Sequence, residues 1–282
     1  MALTSGIDSN GVFQLGVKTS NGLKPIAINS WKQLQQLSIR ELKDLVENTQ
    51  GEEVELSQIL PPIDPDGEVW AAGVTYLRSR DARTEESGVP DVYTRVYDAD
   101  RPEIFFKAIG NRVVRELDWI GIRFDSKLSV PEPEIALLVS SKKEILGLTI
   151  CNDVTARTIE GENPLYLPQA KMYEHSCSLL STVTPIWEID NLDELKISAE
   201  IVRSNSVIWE ATTSLAQLKR SFEDLIDYLY SCYQFKNGVA FSTGTGIVPP
   251  MDISLAAGDV VNIKADHIGL LTNQVQIVEK VN

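Results

Sequence analysis

The spacing of apolar positions changes period several times along the chain, and each change predicts an element. Val12-Phe13-Gln14-Leu15-Gly16-Val17 partly alternates and Asn21-Gly22 is a turn pair, so residues 1–29 read as short strands joined by turns. From Ser30 onward, Leu34, Leu37, Leu42 and Leu45 recur at roughly helical spacing. The capping box Ser38-Ile39-Arg40-Glu41 falls in the middle of that run, which predicts two short helices rather than one. Pro61-Pro62-Ile63-Asp64-Pro65 is stiff and extended, and a domain boundary is expected there, between a small unit over 1–65 and a larger one over 66–282.

Beyond the prolines, Glu68-Val69-Trp70-Ala71-Ala72-Gly73-Val74-Thr75-Tyr76 has strand composition. Residues 77–88 carry a charge run with three arginines, closing on Gly88 with Pro90 just beyond; the pattern favours a solvated helix. The other reading is a lid over an anionic substrate; if it is extended, Arg78 and Arg80 share a face and both reach inward. Glu103-Ile104-Phe105-Phe106-Lys107 reads as a strand with charged ends, or as a buried acid and base beside a pocket; the pattern favours the first. Residues 121–139 read as a hairpin, Ser140-Ser141-Lys142-Lys143 as a turn, and Glu144–Cys151 as a buried strand stopping at Asn152-Asp153. Val154–Glu162 predicts a short helix with Arg157 and Glu160 on one side. Two prolines argue against regular structure from Asn163 to Lys171. Residues 179–211 read as further strands, and Leu215, Leu218, Phe222, Leu225 and Leu229 mark one amphipathic helix. Gly238–Pro250 is glycine-rich without the lysine of a nucleotide loop, and reads as a loop over a small ligand or as a plain turn. Gly258-Asp259 starts an alternating strand, with a turn at His267-Ile268-Gly269.

The chemistry concentrates at Ser129-Val130-Pro131-Glu132-Pro133-Glu134-Ile135-Ala136. In an extended segment, Glu132 and Glu134 stand on one face, and the two prolines stiffen them. Two close carboxylates repel unless a proton or a cation intervenes, and a hard divalent ion with oxygen ligands is the natural partner. If the next strand pairs with this one, Asp153 lies about 5 Å away and completes a three-carboxylate cage. The plainer alternatives are a charged strand end facing water and an Asn-Asp turn. Lys171 ends a loop; it is either a surface charge or a base or charge stabiliser beside a bound anion.

Composition narrows the rest. A chain of 282 residues with 43% hydrophobic side chains can bury a sizeable core. The net charge of −14 argues against nucleic acid and anionic membranes as partners. The first 22 residues lack the basic start and apolar core of a signal peptide, and no run reaches membrane-spanning length. Cys151, Cys177 and Cys232 are unpaired in spacing, which points to a reducing cytoplasm. With His175 and His267 the only histidines, a histidine-rich metal site is excluded, and a general base is expected among carboxylates and lysines.

The order Pro-Glu-Pro-Glu-Ile-Ala, Asn-Asp-Val-Thr-Ala-Arg, Glu-Asn-Pro-Leu-Tyr-Leu-Pro-Gln-Ala-Lys, Thr-Gly-Thr-Gly-Ile-Val-Pro-Pro and Gly-Asp-Val-Val resembles the fumarylacetoacetate hydrolase superfamily over roughly residues 66–282. Glu68–Thr75 and Arg101–Lys107 look closest to its 2-keto-3-deoxy-D-arabinonate dehydratase branch. The resemblance implies an α+β, β-rich fold: a mixed β-roll with a small N-terminal α/β domain, usually a homodimer, with Mg2+ (or Mn2+ or Ca2+) in its cup. It implies Glu132, Glu134 and Asp153 as metal ligands, Lys171 and Glu103 as catalytic groups, and Thr245 and Arg157 at the substrate, with Arg80 of the lid segment a further candidate contact. The expected activity is dehydration of a 2-keto-3-deoxy sugar acid to a 2,5-dioxo acid. The hydrolases of the superfamily carry a water-activating histidine in the lid segment, and residues 76–88 contain none. Acylpyruvate-type hydrolysis, oxaloacetate decarboxylation and metal-dependent 2-oxo-acid binding without chemistry are the alternatives.

Overall fold

A computed structural model describes residues 1–86 and 91–280. Its frame is a 12-stranded mixed sheet, with a five-stranded sheet packed against it. The middle of the large sheet is a hairpin, Pro133–Val139 paired antiparallel with Ile145–Asp153, with Glu134 opposite Cys151. Val239–Thr245 lies on the other side of Pro133–Val139, antiparallel to it, and pairs in parallel with Glu68–Gly73, which in turn pairs with Glu103–Ile109. The five-stranded sheet runs in the order Ser206–Ser214, Lys196–Arg203, Val260–Ala265, Gly269–Val278, Trp119–Arg123.

Strand periodicity decides which face carries what. Ile135, Leu137 and Val139 point into the main core with Leu148 and Ile150, against Ile197, Ile201, Ile263 and Val275 of the second sheet and the helix Phe222–Tyr230. Ala136 packs on the opposite face with Cys151, Cys177 and Ala240. Glu134 has the parity of Ala136, so the carboxylate end of the strand belongs to that second face, above small side chains that leave room for a cup. A third cluster sits under the N-terminal segment: Leu3, Leu15, Trp31, Leu34, Leu42 and Val46 close on Leu138, Leu146 and Val183. Leu3–Asp8 pairs with Thr182–Pro185, so residues 1–65 extend the large sheet while keeping their own apolar cluster.

Several expectations hold at the level of single bonds. Ser30 caps Trp31–Leu34, and Ser38 with Glu41 forms the capping box of Ile39–Glu47. Others need correction. Trp119–Arg123 is not the first arm of a hairpin with the glutamate strand; it joins the second sheet, parallel to Gly269–Val278. Pro164 and Pro168 start a 3-10 turn, Pro164–Tyr166, and a helix, Leu167–Lys171, rather than preventing them, because a missing N–H costs nothing in a first turn. The helix expected from Leu215 begins only at Phe222, where Ser221 caps it. The first half of the glycine-rich stretch is a fully buried strand, Val239–Thr245, not a loop. Gly88 and Pro90, expected to stop the helix of the charge run, lie outside the described residues.

Gly244 is the one glycine in that strand with a backbone only glycine adopts comfortably, at φ +92°, and a methyl there would collide with Thr75 Oγ1. Its N–H donates to Glu134 Oε2 at 2.9 Å. Gly244→Ala is expected to cost about 1–3 kcal/mol through strain and overpacking, read as a lowered urea midpoint.

Candidate active site

Glu134 stands at the start of the central strand, and its carboxylate is fixed by Ser242 Oγ at 2.5 Å and the Gly244 N–H. Glu132 lies two residues earlier, where its backbone is clamped to the neighbouring strand: its N–H donates to Asn152 Oδ1 at 3.2 Å and its carbonyl accepts from Asp153 N at 3.0 Å. Asp153 ends that neighbouring strand. The expected proximity is realised: Glu132, Glu134 and Asp153 are each 2% exposed or less, and each offers an oxygen within 4.8 Å of the others.

Lys171 enters from the last turn of Leu167–Lys171 and is fully buried. Its Nζ donates to Glu132 Oε2 at 2.6 Å, Asp153 Oδ2 at 2.8 Å and Thr155 Oγ1 at 2.7 Å. Burial alone would push its pKa down, but Asp153 and Glu132 outweigh burial and raise it, so the amine is held charged. Burial pushes Glu132 up, and Lys171, Arg157 and Arg83 overcome that and hold it below the usual carboxylate range. Glu134 goes the other way. It is pushed well up by burial and by the charges of Asp153, Cys151 and Glu132. A buried carboxyl whose pKa is pushed up beside two others marks a place where added positive charge would be favourable. Three oxygen donors suit a hard divalent cation, so the residues present fit such an ion.

The strand Glu103–Ile109 is not a strand with solvated ends. Lys107 is 1% exposed and lies 2.5 Å from Asp153 Oδ1. Glu103 faces Gly73 across the strand pair, and a methyl at Gly73 would collide with its carboxyl, so the glycine makes the space the acid occupies. Burial raises the pKa of Glu103, with Arg83 opposing and Glu160 adding to the rise. Its Oε2 is buried without a hydrogen-bond partner among the described residues.

The charge run is a helix, Leu77–Glu86, but it is not solvated. Ser79, Ala82 and Arg83 form its buried side. Helical geometry separates Arg78 from Arg80, which an extended chain would have aligned. Arg80 stays at the rim, paired with Asp81 at 2.5 Å and stacked over the Tyr97 ring at 5.2 Å, and is not brought into the cup. Arg83, three residues on, reaches Glu160, and its Nη2 lies 3.6 Å from Glu132 Oε1. Arg157 donates to Glu132 Oε1 at 2.6 Å and sits 3.7 Å from Glu160 Oε2. Thr245 lies opposite Glu134, with its hydroxyl bonded to the carbonyls of Pro133 at 2.9 Å and Ile247 at 3.0 Å. The cup thus gathers every expected site residue except Arg80, and adds Arg83, Lys107 and Glu160. Arg83 belongs to the charge run whose pattern favours solvent; Lys107 is open in the sequence as a buried base beside a pocket, and Glu160 shares a helix side with Arg157.

Three buried carboxylates at the strand ends of a mixed sheet, with oxygens close enough to share one cation, define a class of site. The chain belongs to the fumarylacetoacetate hydrolase family: residues 94–276 match its C-terminal domain. Among its relatives, the probable 2-keto-3-deoxyxylonate dehydratase of Haloferax volcanii is 45% identical over 217 residues, 77% of this chain and 74% of the relative. The 2-dehydro-3-deoxy-D-arabinonate dehydratase of Saccharolobus solfataricus is 40% identical over 228 residues, 79% of this chain and 76% of that one. A solved 2-keto-3-deoxy-D-arabinonate dehydratase, complexed with magnesium and 2,5-dioxopentanoate, superposes with a TM-score of 0.82 at 33% identity, over 99% of this chain and 100% of that one.

Burial and neighbouring carboxylates raise the pKa of Glu134, so a divalent ion entering the cup would compete with a proton there. Calorimetric titration with Mg2+ in buffers of different ionisation enthalpy is expected to show release of about one proton near neutral pH. The raised pKa also sets a sign. Without metal, the stability that Glu134 contributes is complete below the unfolded carboxylate range, and is lost as pH rises through the raised folded value. The gain in melting temperature from added Mg2+ should therefore be larger at pH 8 than at pH 5.5; an equal gain at both would contradict this.

Proposed function

We propose that this chain is a divalent-metal-dependent hydro-lyase that dehydrates a 2-keto-3-deoxy sugar acid to a 2,5-dioxo acid, with Mg2+ as its ion. The observation that carries the choice among family chemistries is what the cup holds in place of a histidine. The chain's two histidines are elsewhere: His175 stacks on Trp119 with ring centroids 3.6 Å apart, and His267 occupies a turn at φ +62°. The helix Leu77–Glu86 delivers Arg83 instead. A water-activating imidazole for carbon–carbon hydrolysis therefore has no carrier, whereas elimination of water needs only an acid, a base and a way to hold negative charge. The likeness to dehydratases supports the same reading.

Glu132, Glu134 and Asp153 would hold the ion, which polarises the 2-oxo group and acidifies the C3 proton. Lys171 and Glu103 then divide the proton work, the one an amine among carboxylates and the other a buried acid whose pKa is raised by burial. Lys171 owes its charge to Glu132 and Asp153; with those carboxylates holding the ion, its ammonium would first give a proton to solvent, and the free amine would then take the C3 proton and become the ammonium again. Glu103, kept neutral by burial, gives its proton to the C4 hydroxyl, which leaves as water. Arg83, Arg157 and the Lys171 ammonium hold the negative charge that develops between those steps. The unsaturated 2-oxo acid that results tautomerises, and a 2-keto-3-deoxypentonate ends as 2,5-dioxopentanoate. Thr245 and Arg157 meet the substrate. The proposal extends to a homodimer acting in the cytoplasm, a setting that agrees with three free cysteines.

With Mg2+, the purified protein should convert a 2-keto-3-deoxypentonate to a product trapped as the 2,5-dioxo acid, and a chelator should stop it. Failure to turn over any member of a panel of 2-keto-3-deoxy sugar acids, with cleavage of an acylpyruvate instead, would overturn the reading. Glu103→Gln is expected to lower kcat by about 10²–10⁴-fold, measured at saturating substrate.

A further inference from the structure

We infer that Lys107 is a positioning residue for the site, one ammonium that fixes both the metal ligand Asp153 and the backbone that presents Lys171. The inference rests on the metal reading of the three carboxylates. Lys107 sits four residues after Glu103 on the same strand, so both side chains leave the same face. Its Nζ donates to two backbone carbonyls, Val154 O at 3.1 Å and Lys171 O at 2.6 Å, and forms an ion pair with Asp153 Oδ1 at 2.5 Å. Two hydrogen bonds and one ion pair, all to groups of the protein, turn this buried ammonium towards its own scaffold. Lys107 therefore acts through its partners and not on a substrate.

Each contact has a geometric consequence. An aspartate carboxylate can turn about its own axis; with Oδ1 engaged by Lys107, Oδ2 is left on the side of Glu132, where Lys171 Nζ also lies. The Lys171 carbonyl closes its helix, where it has no further turn to bond to, and Lys107 and Ser176 Oγ, at 2.8 Å, take it up. The same cation thus sets the orientation of the ligand and the place from which the active-site lysine starts. Groups that orient metal ligands in this way commonly govern affinity by 10–100-fold.

The test is Mg2+ titration calorimetry on the full chain without substrate, so that the outcome does not depend on which sugar acid is dehydrated. Lys107→Met keeps the length of the side chain and removes its bonds. It is expected to raise the Kd for Mg2+ by about 10–100-fold while the protein still melts cooperatively. If Lys107→Met fails to fold, Lys107→Arg serves: its planar fork reaches fewer of the three acceptors, and about a tenfold rise is expected. A purely structural role would leave the Kd of either folded variant within twofold of the unaltered chain, which would overturn the inference. Coupling gives a second arm. If Lys107 acts through Asp153, adding Lys107→Met to Asp153→Asn should change the remaining Kd by less than about twofold, whereas fully additive losses would refute it. An unaltered chain that binds no Mg2+ sinks the metal reading and this inference together; a chain that binds Mg2+ yet dehydrates nothing sinks only the activity.

Discussion

Charges leave water only when paired, and that constraint shapes this molecule more than any other. Four acids, Glu132, Glu134, Asp153 and Glu160, and four bases, Arg83, Lys107, Arg157 and Lys171, are buried together in one cup. Removing one member of such a pair strands its partner, at a cost of about 3–5 kcal/mol. The cluster is therefore an all-or-none assembly in which each strand or helix contributes a charge that another must answer. Its formal balance is also informative. With all eight groups ionised the cup is formally neutral, and a divalent ion would make it doubly positive, the charge state suited to the anionic 2-oxo acid proposed as its substrate.

The same constraint explains where sequence reasoning succeeded and where it could not reach. Glu132 and Glu134 were legible because strand alternation fixes their side, and Asp153 because the turn at 140–143 is short enough to set the register of its strand. The capping residues Ser30 and Ser38 were legible for the same local reason. Lys171 stood out only through its place in a family pattern. The inward turn of Arg83 and the burial of Lys107 could not be decided from local pattern because their partners are remote: Lys107 is 64 residues from Lys171, and Arg83 is 77 from Glu160. The charge run of 77–88 illustrates the difficulty. By polarity it belongs in water, yet its Arg83 is 3% exposed, since a guanidinium can be buried by pairing as readily as a leucine by packing.

The reaction proposed for the cup depends on two titratable groups whose environments are set by different elements. Glu103 is buried in a notch left by Gly73 on the adjacent strand, and that burial raises its pKa. Lys171 owes its charge to the carboxylates of the central hairpin. The helix bearing Arg83 stands between these two regimes, touching Glu132 on one side and acting on Glu103 through space. Changing which residue that helix sends inward is a compact way for one fold to pass from hydrolysis to elimination, because the floor of the cup need not move.

The central sheet has a temporal consequence. Val239–Thr245, which lies between the glutamate strand and Glu68–Gly73, comes late in the chain. During synthesis, both of its neighbours emerge from the ribosome long before it does. Until then each presents an unpaired edge, and Glu134 lacks the Ser242 and Gly244 contacts that hold it. A nascent fragment that stops short of residue 242 carries all three carboxylates without these contacts to Glu134, and the two waiting edges offer a template for wrong pairing between chains. The surplus of acidic residues, at a net charge of −14, then acquires a second meaning as mutual repulsion that keeps such half-made chains apart.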